Sequence, residues 1–450
     1  MSDVRELITQ EARRYTPYAI RFDKFKTDSI VPFRLSPKPL RLRRSGIDIA
    51  GDFRKGDENI LTLGPLLCEF FYLVKELYNS NERVRELLDR GKPDWYKRLA
   101  KPEYLFLRPD LILSPVEQRD GKTKSSFFIC EIETSPFGLG LAEMLNRAYC
   151  DTGFETIVAR DKLKQYLHNS TPPNGVVACS KKCAANFDQL RSLADQVFSG
   201  SGRQWSAQMI DDSFSYDTEA IYRAFYLSEI FSDEDVKNLV LGSHSQYFPS
   251  LTPQFEEKAI LALPFHTEFE DYFLRNMGPA GFHFIREIFP PAWIVGEERY
   301  FSLGMPDNIS STAGLASLGQ SKRKWVIKES GFGEHSSWGQ GVTFAHTATR
   351  PVLEAALEKA CTSTDVLYVC QEFRDGVKRK VSFFAETEED NLLPKDTDGN
   401  PTLDVRVRLC MYYSNIGKNI GEIVASFATC CADGIYVHGK SNSIQTAVVI

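Results

Sequence analysis

The segment from Tyr104 to Glu133 restricts the fold more than any other part of the chain. Tyr104-Leu105-Phe106-Leu107 and Leu111-Ile112-Leu113 are apolar runs. A polar stretch containing Asp120-Gly121 follows, and Phe127-Phe128-Ile129-Cys130-Glu131-Ile132-Glu133 is the next run. Apolar runs of this length around an Asp-Gly turn predict two antiparallel strands joined as a hairpin. Side chains alternate along a strand, so Glu131 and Glu133 share one face while Cys130 and Ile132 take the other. Two carboxylates roughly 7 Å apart can hold one hard cation or bridge two; an edge strand with two solvated glutamates would carry the same pattern. Arg108-Pro109-Asp110 lies on the partner strand. Arg108 can grip a carboxylate or phosphate in bidentate fashion, and Asp110 can support a metal ion or orient that arginine. A structural ion pair at a strand end would look alike. Beyond Glu133, Thr134-Ser135-Pro136 and the glycines at 138 and 140 turn the chain toward a helix expected to begin near Leu141, whose first amides can face an anion.

A second cluster lies in Lys324-Trp325-Val326-Ile327-Lys328-Glu329-Ser330-Gly331-Phe332-Gly333-Glu334-His335-Ser336-Ser337-Trp338-Gly339-Gln340-Gly341-Val342. A short strand delivers Lys328, and a loop with Gly331, Gly333, Gly339, Gly341 and the pair Ser336-Ser337 follows. Glycines let backbone amides approach phosphate oxygens, and lysine supplies a point charge. A glycine-rich hairpin without a ligand is the plain alternative, and His335 reads as incidental. The spacing fits neither the P-loop nor a dinucleotide fingerprint. Further on, Val366-Leu367-Tyr368-Val369-Cys370-Gln371-Glu372-Phe373 is an apolar strand ending in two polar residues able to reach a base and a ribose. Asp404-Val405-Arg406-Val407-Arg408-Leu409 alternates, which places Asp404, Arg406 and Arg408 on one face, either solvated or free to bind an anion.

Around these segments, residues 60–90 carry apolar side chains at helical spacing broken near Asn79-Ser80-Asn81, which predicts a helix pair. From about 155 to 265 helices alternate with short apolar strands, among them Gly175-Val176-Val177-Ala178-Cys179 and Ala259-Ile260-Leu261-Ala262-Leu263, the pattern of an α/β layer. The expected fold class is α/β with α+β subdomains, mixed sheets and flanking helices. Its expected units are a mostly helical region over 1–100, the hairpin segment over 101–155, an α/β region over 156–320 and a separate α+β segment over 321–450. The formal net charge of −6 disfavours a nucleic-acid partner. No apolar run nears the roughly 18 residues of a membrane span, and Met1-Ser2-Asp3-Val4-Arg5-Glu6 lacks the apolar core of a secretion signal. Ten cysteines without a Cys-x-x-Cys pair read as reduced thiols. A cytoplasmic protein is expected.

Strand, lysine, glycine-rich flap, a strand ending in Gln371-Glu372 and an Asp-x-Arg strand, in that order, resemble the nucleotide-binding half of ATP-grasp ligases. Arg108-Pro109-Asp110, the hairpin, Glu131-Ile132-Glu133 and Gly138-Leu139-Gly140 resemble the metal-binding segment of the same class, here ahead of the lysine instead of after it. That permuted order is similar to eukaryotic-type glutathione synthetases and, more loosely, to glutathionylspermidine synthetases. Their Arg-x-Asp, Glu-x-Asn and Phe-Gly-Gly-Leu sequence is echoed from Arg108 to Leu139, and Ala432-Asp433-Gly434-Ile435-Tyr436-Val437-His438-Gly439 resembles their closing loop. The likeness departs in three places: Glu133 stands where the family has asparagine, the flap lacks a Lys-Pro pair, and nothing matches over about 155–300.

The resemblance implies ATP and Mg2+ as cofactors and an ADP-forming ligation, in which ATP phosphorylates a carboxylate and an amine then displaces the phosphate to form an amide. It implies that Lys328, Gly331, Gly333, Ser336, Ser337, Gly339 and Gly341 grip phosphates while Gln371 and Glu372 contact adenine and ribose. Glu131 and Glu133 would hold magnesium with Glu329 or Glu334, supported by Asp110. Arg108 and Arg406 would bind the acyl donor or steady the transferring phosphoryl group. The expected partners are a small-molecule or peptide carboxylate and an amine, with neither nucleic acid nor membrane, and a homodimer is left open. A small-molecule kinase on the same scaffold and a non-catalytic nucleotide-binding or interaction protein are the alternatives.

Overall fold

The apolar alternation from residue 104 onward becomes an antiparallel pair, Phe106–Leu113 against Phe127–Glu133, with Arg108 opposite Glu133 and Leu113 opposite Phe127. The register shifts between Pro109 and Leu111, next to a residue with no N–H to give the ladder. This computed structural model describes residues 34–41, 57–97, 105–114, 118–119, 122–123, 127–135, 137–211, 213–215, 218–331, 333, 335–336, 341–385, 388–417, 420–432 and 443–449. The Asp120-Gly121 turn and most of the expected closing loop, residues 433–439, lie outside them. Gln118–Arg119 and Lys122–Thr123 pair on either side of the turn.

The hairpin forms one edge of a seven-stranded sheet. Thr402–Ser414 pairs antiparallel with Phe106–Leu113, and Ile423–Cys431, Ser443–Thr446 and Arg34–Leu35 follow outward. Lys378–Ser382 pairs with the start of Thr402–Ser414. Along that long strand Val405, Val407 and Leu409 are buried while Asp404, Arg406 and Arg408 turn to the other face, as the alternation requires. The last strands therefore do not stand apart as a separate C-terminal segment; they share hydrogen bonds with the hairpin.

Lys328 belongs to a second sheet, all antiparallel, in the order Ala292–Ile294, Tyr368–Glu372, Trp325–Glu329, Val342–Phe344. The helix Arg350–Thr362 buries Leu353, Leu357 and Ala360. A third sheet is all parallel, in the order Gln246–Phe248, Ala220–Ala224, Asn174–Cys179, Gln204–Met209. Helices connect Asn174–Cys179 to Gln204–Met209 and Ala220–Ala224 to Gln246–Phe248, so an α/β layer is present. One expectation within this stretch fails. The run from Ala259 to Leu263 is not a strand but part of a 3-10 helix, Lys258–Phe265, with every side chain buried. Periodicity cannot separate a fully buried strand from a buried helical turn.

The expected helix pair is Asp57–Ser80 and Glu82–Leu88, divided at Asn81, whose Oδ1 accepts the Val84 N–H at 3.2 Å. Phe70 on the first of these helices meets Phe273 and Phe289 at ring-centroid distances of 5.4 Å within the largest apolar cluster. Burial contributes about 1.5–3 kcal/mol for each such ring. Among the described residues no helix is long and apolar enough to cross a membrane.

His266 caps the helix Thr267–Ile288. Its Nδ1 accepts the Glu268 N–H at 3.3 Å, and its ring stacks on Phe269 at 4.4 Å and Tyr300 at 4.7 Å. Burial pushes the imidazole down to about 4 from 6.5, and its buried Nε2 has no partner among the described residues. A histidine that must stay neutral when folded contributes stability that is fully present above its unfolded value and is lost as pH falls through the folded one. Over that window the loss is about 1.4 kcal/mol per pH unit. Urea unfolding between about pH 7 and 5 should carry this slope as the histidine's contribution, added to those of the carboxyls. His266→Asn, which keeps an N-cap acceptor, should remove the histidine's share of it.

Candidate functional site

Strand alternation puts Lys328 on one face of its sheet and Glu329 on the other, and the face with Lys328 meets the hairpin. Lys328 Nζ donates to the Cys130 carbonyl at 3.0 Å and to Gln371 Oε1 at 2.6 Å, across 198 positions in the first case. Between the two sheets lies a cleft of about 620 Å³, within the usual range for small-molecule sites. Arg108, Asp110, Glu131 and Glu133 line it from the hairpin, and Arg406 and Arg408 from the neighbouring strand. Lys328, Gln371 and Glu372 line it from the opposite side.

Most charges in this cleft are paired with one another. Glu131 Oε1 lies 3.0 Å from Lys258 Nζ, which also donates to the Ser336 carbonyl at 2.7 Å. Arg108 Nη2 bridges Glu133 and Asp110, the latter at 3.0 Å, while its Nη1 donates to the Phe137 carbonyl at 2.8 Å. Arg408 Nη1 holds the other Asp110 oxygen at 2.8 Å. Burial would raise the Asp110 carboxyl, but Arg408 and Arg108 outweigh it and hold it below the ordinary value. Glu133 goes the other way: burial, helped by Asp110 and Glu131 and opposed by Arg108, pushes it up to about 7. Burial lowers the Lys328 ammonium despite the pull of Cys130 and Glu131. Both of its hydrogen-bond partners are neutral oxygens, so it is a desolvated cation with no carboxylate in direct contact among the described residues.

Arg406 also lines the cleft but grips Asp375 with two bonds, Nε to Oδ1 at 2.7 Å and Nη2 to Oδ2 at 3.1 Å. Arg108, expected to grip a substrate, has both Nη groups engaged within the protein, and only its buried Nε lacks a partner. Glu372 Oε2 accepts from Arg374 Nε at 2.9 Å. Beside Gln371 and Glu372 the wall carries aromatic rings. Phe344 and Phe373 meet edge to face at 5.7 Å, and His346 lies 4.3 Å from the Phe373 ring centroid. A planar heterocycle fits such a wall.

The glycine loop departs from expectation. Of its described residues, Gly331 and Ser336 line the cleft, and Gly333 and Gly341 do not. The Gly331 N–H donates to Glu257 Oε2 at 3.0 Å, and a Cβ there would lie 1.7 Å from the Glu256 carbonyl oxygen, so only glycine fits. The Gly341 N–H donates to the His335 carbonyl at 2.7 Å. Glu329, expected as a metal ligand, is turned away from Glu131 and Glu133. Its carboxylate is buried and accepts from the His335 N–H at 2.8 Å, Tyr368 Oη at 3.1 Å and Lys359 Nζ at 3.3 Å. Glu334, Ser337 and Gly339 lie outside the described residues.

Among the described residues, no group of three or more His, Cys, Asp or Glu side chains is placed to hold a metal ion. Glu131 and Glu133 do share a face of the cleft, as two hard oxygen donors. Such a pair suits magnesium only when a phosphate-bearing ligand brings further oxygens. Sequence reasoning missed Lys258, Asn186, Gln189 and Tyr226, all of which line the cleft. Lys258 opens the apolar run that was read as a strand, and the other three lie where no motif stood out. Neither a scan against protein-family models nor a search of curated proteins returns a match to this chain.

Proposed function

We propose that this chain is an ATP- and magnesium-dependent enzyme of the ATP-grasp class, in permuted order, that joins a carboxylate to an amine. The observation that supports this reading most is the meeting of Glu131 and Glu133 with Lys328 in one cleft. The resemblance requires these distant segments to surround one phosphate chain. The adenine would lie along Phe344 and Phe373 with its edge toward Gln371 and Glu372. The phosphates would reach Lys328 and Lys258, and Glu131 and Glu133 would hold magnesium. When bound, the metal neutralises phosphate charge.

In the reaction, a substrate carboxylate oxygen takes the terminal phosphoryl group and ADP leaves. The amine nitrogen then attacks the acyl carbon, the C–O bond to phosphate breaks with its electron pair, and the nitrogen loses a proton. The residues contribute position and charge more than covalent chemistry. Lys328 supplies a desolvated ammonium, and the Arg108–Asp110–Arg408 cluster ties the carboxylate strand to its neighbours through the Arg108–Glu133 bond. Lys258 would exchange Glu131 for a phosphate oxygen, which frees that carboxylate for the metal.

The test is ADP release with ATP, magnesium and panels of acids and amines, followed by product mass. ADP should form only when an acid and an amine are both present, in step with an amide-linked product. A stable phosphorylated product would replace ligase with kinase. Magnesium-dependent ATP binding without ADP formation would favour a non-catalytic protein, and no ATP binding would end the reading.

A further inference from the structure

From Asn174–Cys179 the parallel sheet grows to Gln204–Met209 on one side and then crosses to Ala220–Ala224 on the other. The order reverses between Asn174–Cys179 and Ala220–Ala224, and open parallel sheets bind ligands outside the carboxyl ends of their strands at such a reversal. The chain leaving those two ends supplies Asn186 and Tyr226, with Gln189 one turn further, and all three line the same cleft as Lys328. Their placement is specific. A Cβ on Gly140 would lie 2.6 Å from the Gln189 carbonyl oxygen, so the helix Leu139–Asp151 seats directly against Phe187–Ser192 and fixes Gln189 beside Gly140. Phe137 meets Tyr226 at 5.3 Å between ring centroids, and its carbonyl is held by Arg108 Nη1 and Tyr412 Oη, each at 2.8 Å.

The chemistry of this end differs from the rest of the cleft. The side-chain amides of Asn186 and Gln189 have no hydrogen-bond partner among the described residues. Among the described residues two buried cations stand near this end, Arg108, already shared between Glu133 and Asp110, and Arg223, which is spent as well. Arg223 pairs with Glu256 and donates to the carbonyls of Phe225 at 3.0 Å and of Pro249 and Ser250 at 3.4 Å. Lys182 Nζ lies 5.5 Å from the Tyr226 ring but does not line the cleft, whereas Glu256 does.

We infer that this end of the cleft is a substrate subsite for an uncharged, amide-bearing group flanked by a flat or apolar one, as in an amidated peptide unit. A second carboxylate does not belong there. Glu256 already takes up the charge of Arg223, so among the described residues lining this end no cation is left over for a second carboxylate, and a buried charge without a counterion is costly. An amide matches the donors and acceptors of Asn186 and Gln189 and stacks against Tyr226 and Phe137. The inference rests on the enzyme reading of the cleft and names one part of the substrate, but binding at this subsite needs neither ATP nor turnover.

The experiment is ligand-observed saturation-transfer NMR on the full chain without nucleotide, with two probes. One is N-acetylphenylalaninamide and the other N-acetylphenylalanine, which carries a carboxylate at the same position. The amide should bind, with the carboxylate at least about tenfold weaker at neutral pH. Asn186→Ala and Gln189→Ala, both at half-buried positions, should each weaken the amide probe about three- to tenfold, with the melting temperature as the check on folding. Equal or tighter binding of the carboxylate, no binding of either probe, or unaltered amide binding in both variants would overturn the inference. A magnesium complex of a non-hydrolysable ATP analogue, titrated separately, tests the nucleotide reading. Its failure beside an intact amide preference would remove that reading and leave the subsite.

Discussion

Lys328→Met is expected to cut ADP formation by about two to three orders of magnitude, the loss usual when one preorganised charge-stabilising group is taken from a transition state. Lys328 reaches the cleft from the middle of a three-stranded antiparallel contact, with Val342 on one side and Val369 on the other, so its position does not depend on a loop. Methionine keeps most of the alkyl stem and removes the ammonium. The Cys130 carbonyl and Gln371 Oε1 then lose a donor, which costs about 1–3 kcal/mol for a buried acceptor left unpaired. Relief from burying the ammonium, visible as its lowered pKa, offsets part of that cost. The variant should therefore fold, bind the ATP analogue more weakly and turn over far more slowly. Arg350→Ala, at an exposed helix-surface ion pair with Glu354, is the control and should change nothing measurable in turnover. Full ATP-dependent turnover by Lys328→Met would end the nucleotide reading.

What could be read in advance divides along a physical line. Alternation is local, so it delivered the hairpin, the shared face of Glu131 and Glu133, and the strand faces of Arg406 and Arg408. The same rule already excluded Glu329 from that site, since it follows Lys328 by one position. The resemblance points the other way only because its pattern sets a glutamate just after the lysine. Long-range pairing is not local. Arg108 looked available to a substrate because nothing near it in the chain announces Glu133, and the Phe137 carbonyl lies 29 positions away. The glycine loop shows the same limit, because glycines permit close approach without naming the partner. Gly331 approaches Glu256 and Glu257, where a phosphate had been expected. Lys258 went unnoticed for a different reason, since its apolar neighbours in a 3-10 helix have no period that marks them off from a buried strand.

The other large effect is expected in stability. Lys92→Met should destabilise the fold by about 3–5 kcal/mol, the cost of leaving one member of a buried ion pair without its partner. Lys92 Nζ donates to Glu257 Oε1 at 2.5 Å and to the Leu88 carbonyl at 2.7 Å, and the two side chains are only 0% and 2% exposed. The pair joins the end of the second helix to the segment that opens Lys258–Phe265, across 165 positions. With lysine gone, Glu257 retains the Gly331 N–H at 3.0 Å, which neutralises no charge. Adding Glu257→Gln to Lys92→Met removes the stranded charge and keeps an acceptor for Gly331. The double variant should recover a good part of the loss, because a buried pair is worth little against a neutral replacement while half a pair is costly. A double-mutant cycle from urea midpoints should return a coupling near the upper end of the usual 0.5–3 kcal/mol range. Gly331 stands at the base of the loop that follows Lys328, so hydrogen exchange over 328–336 should quicken in Lys92→Met and slow again in the double variant. Unchanged stability of Lys92→Met would mean that water reaches the pair in solution, and the anchoring of the loop through Glu257 would fall with it.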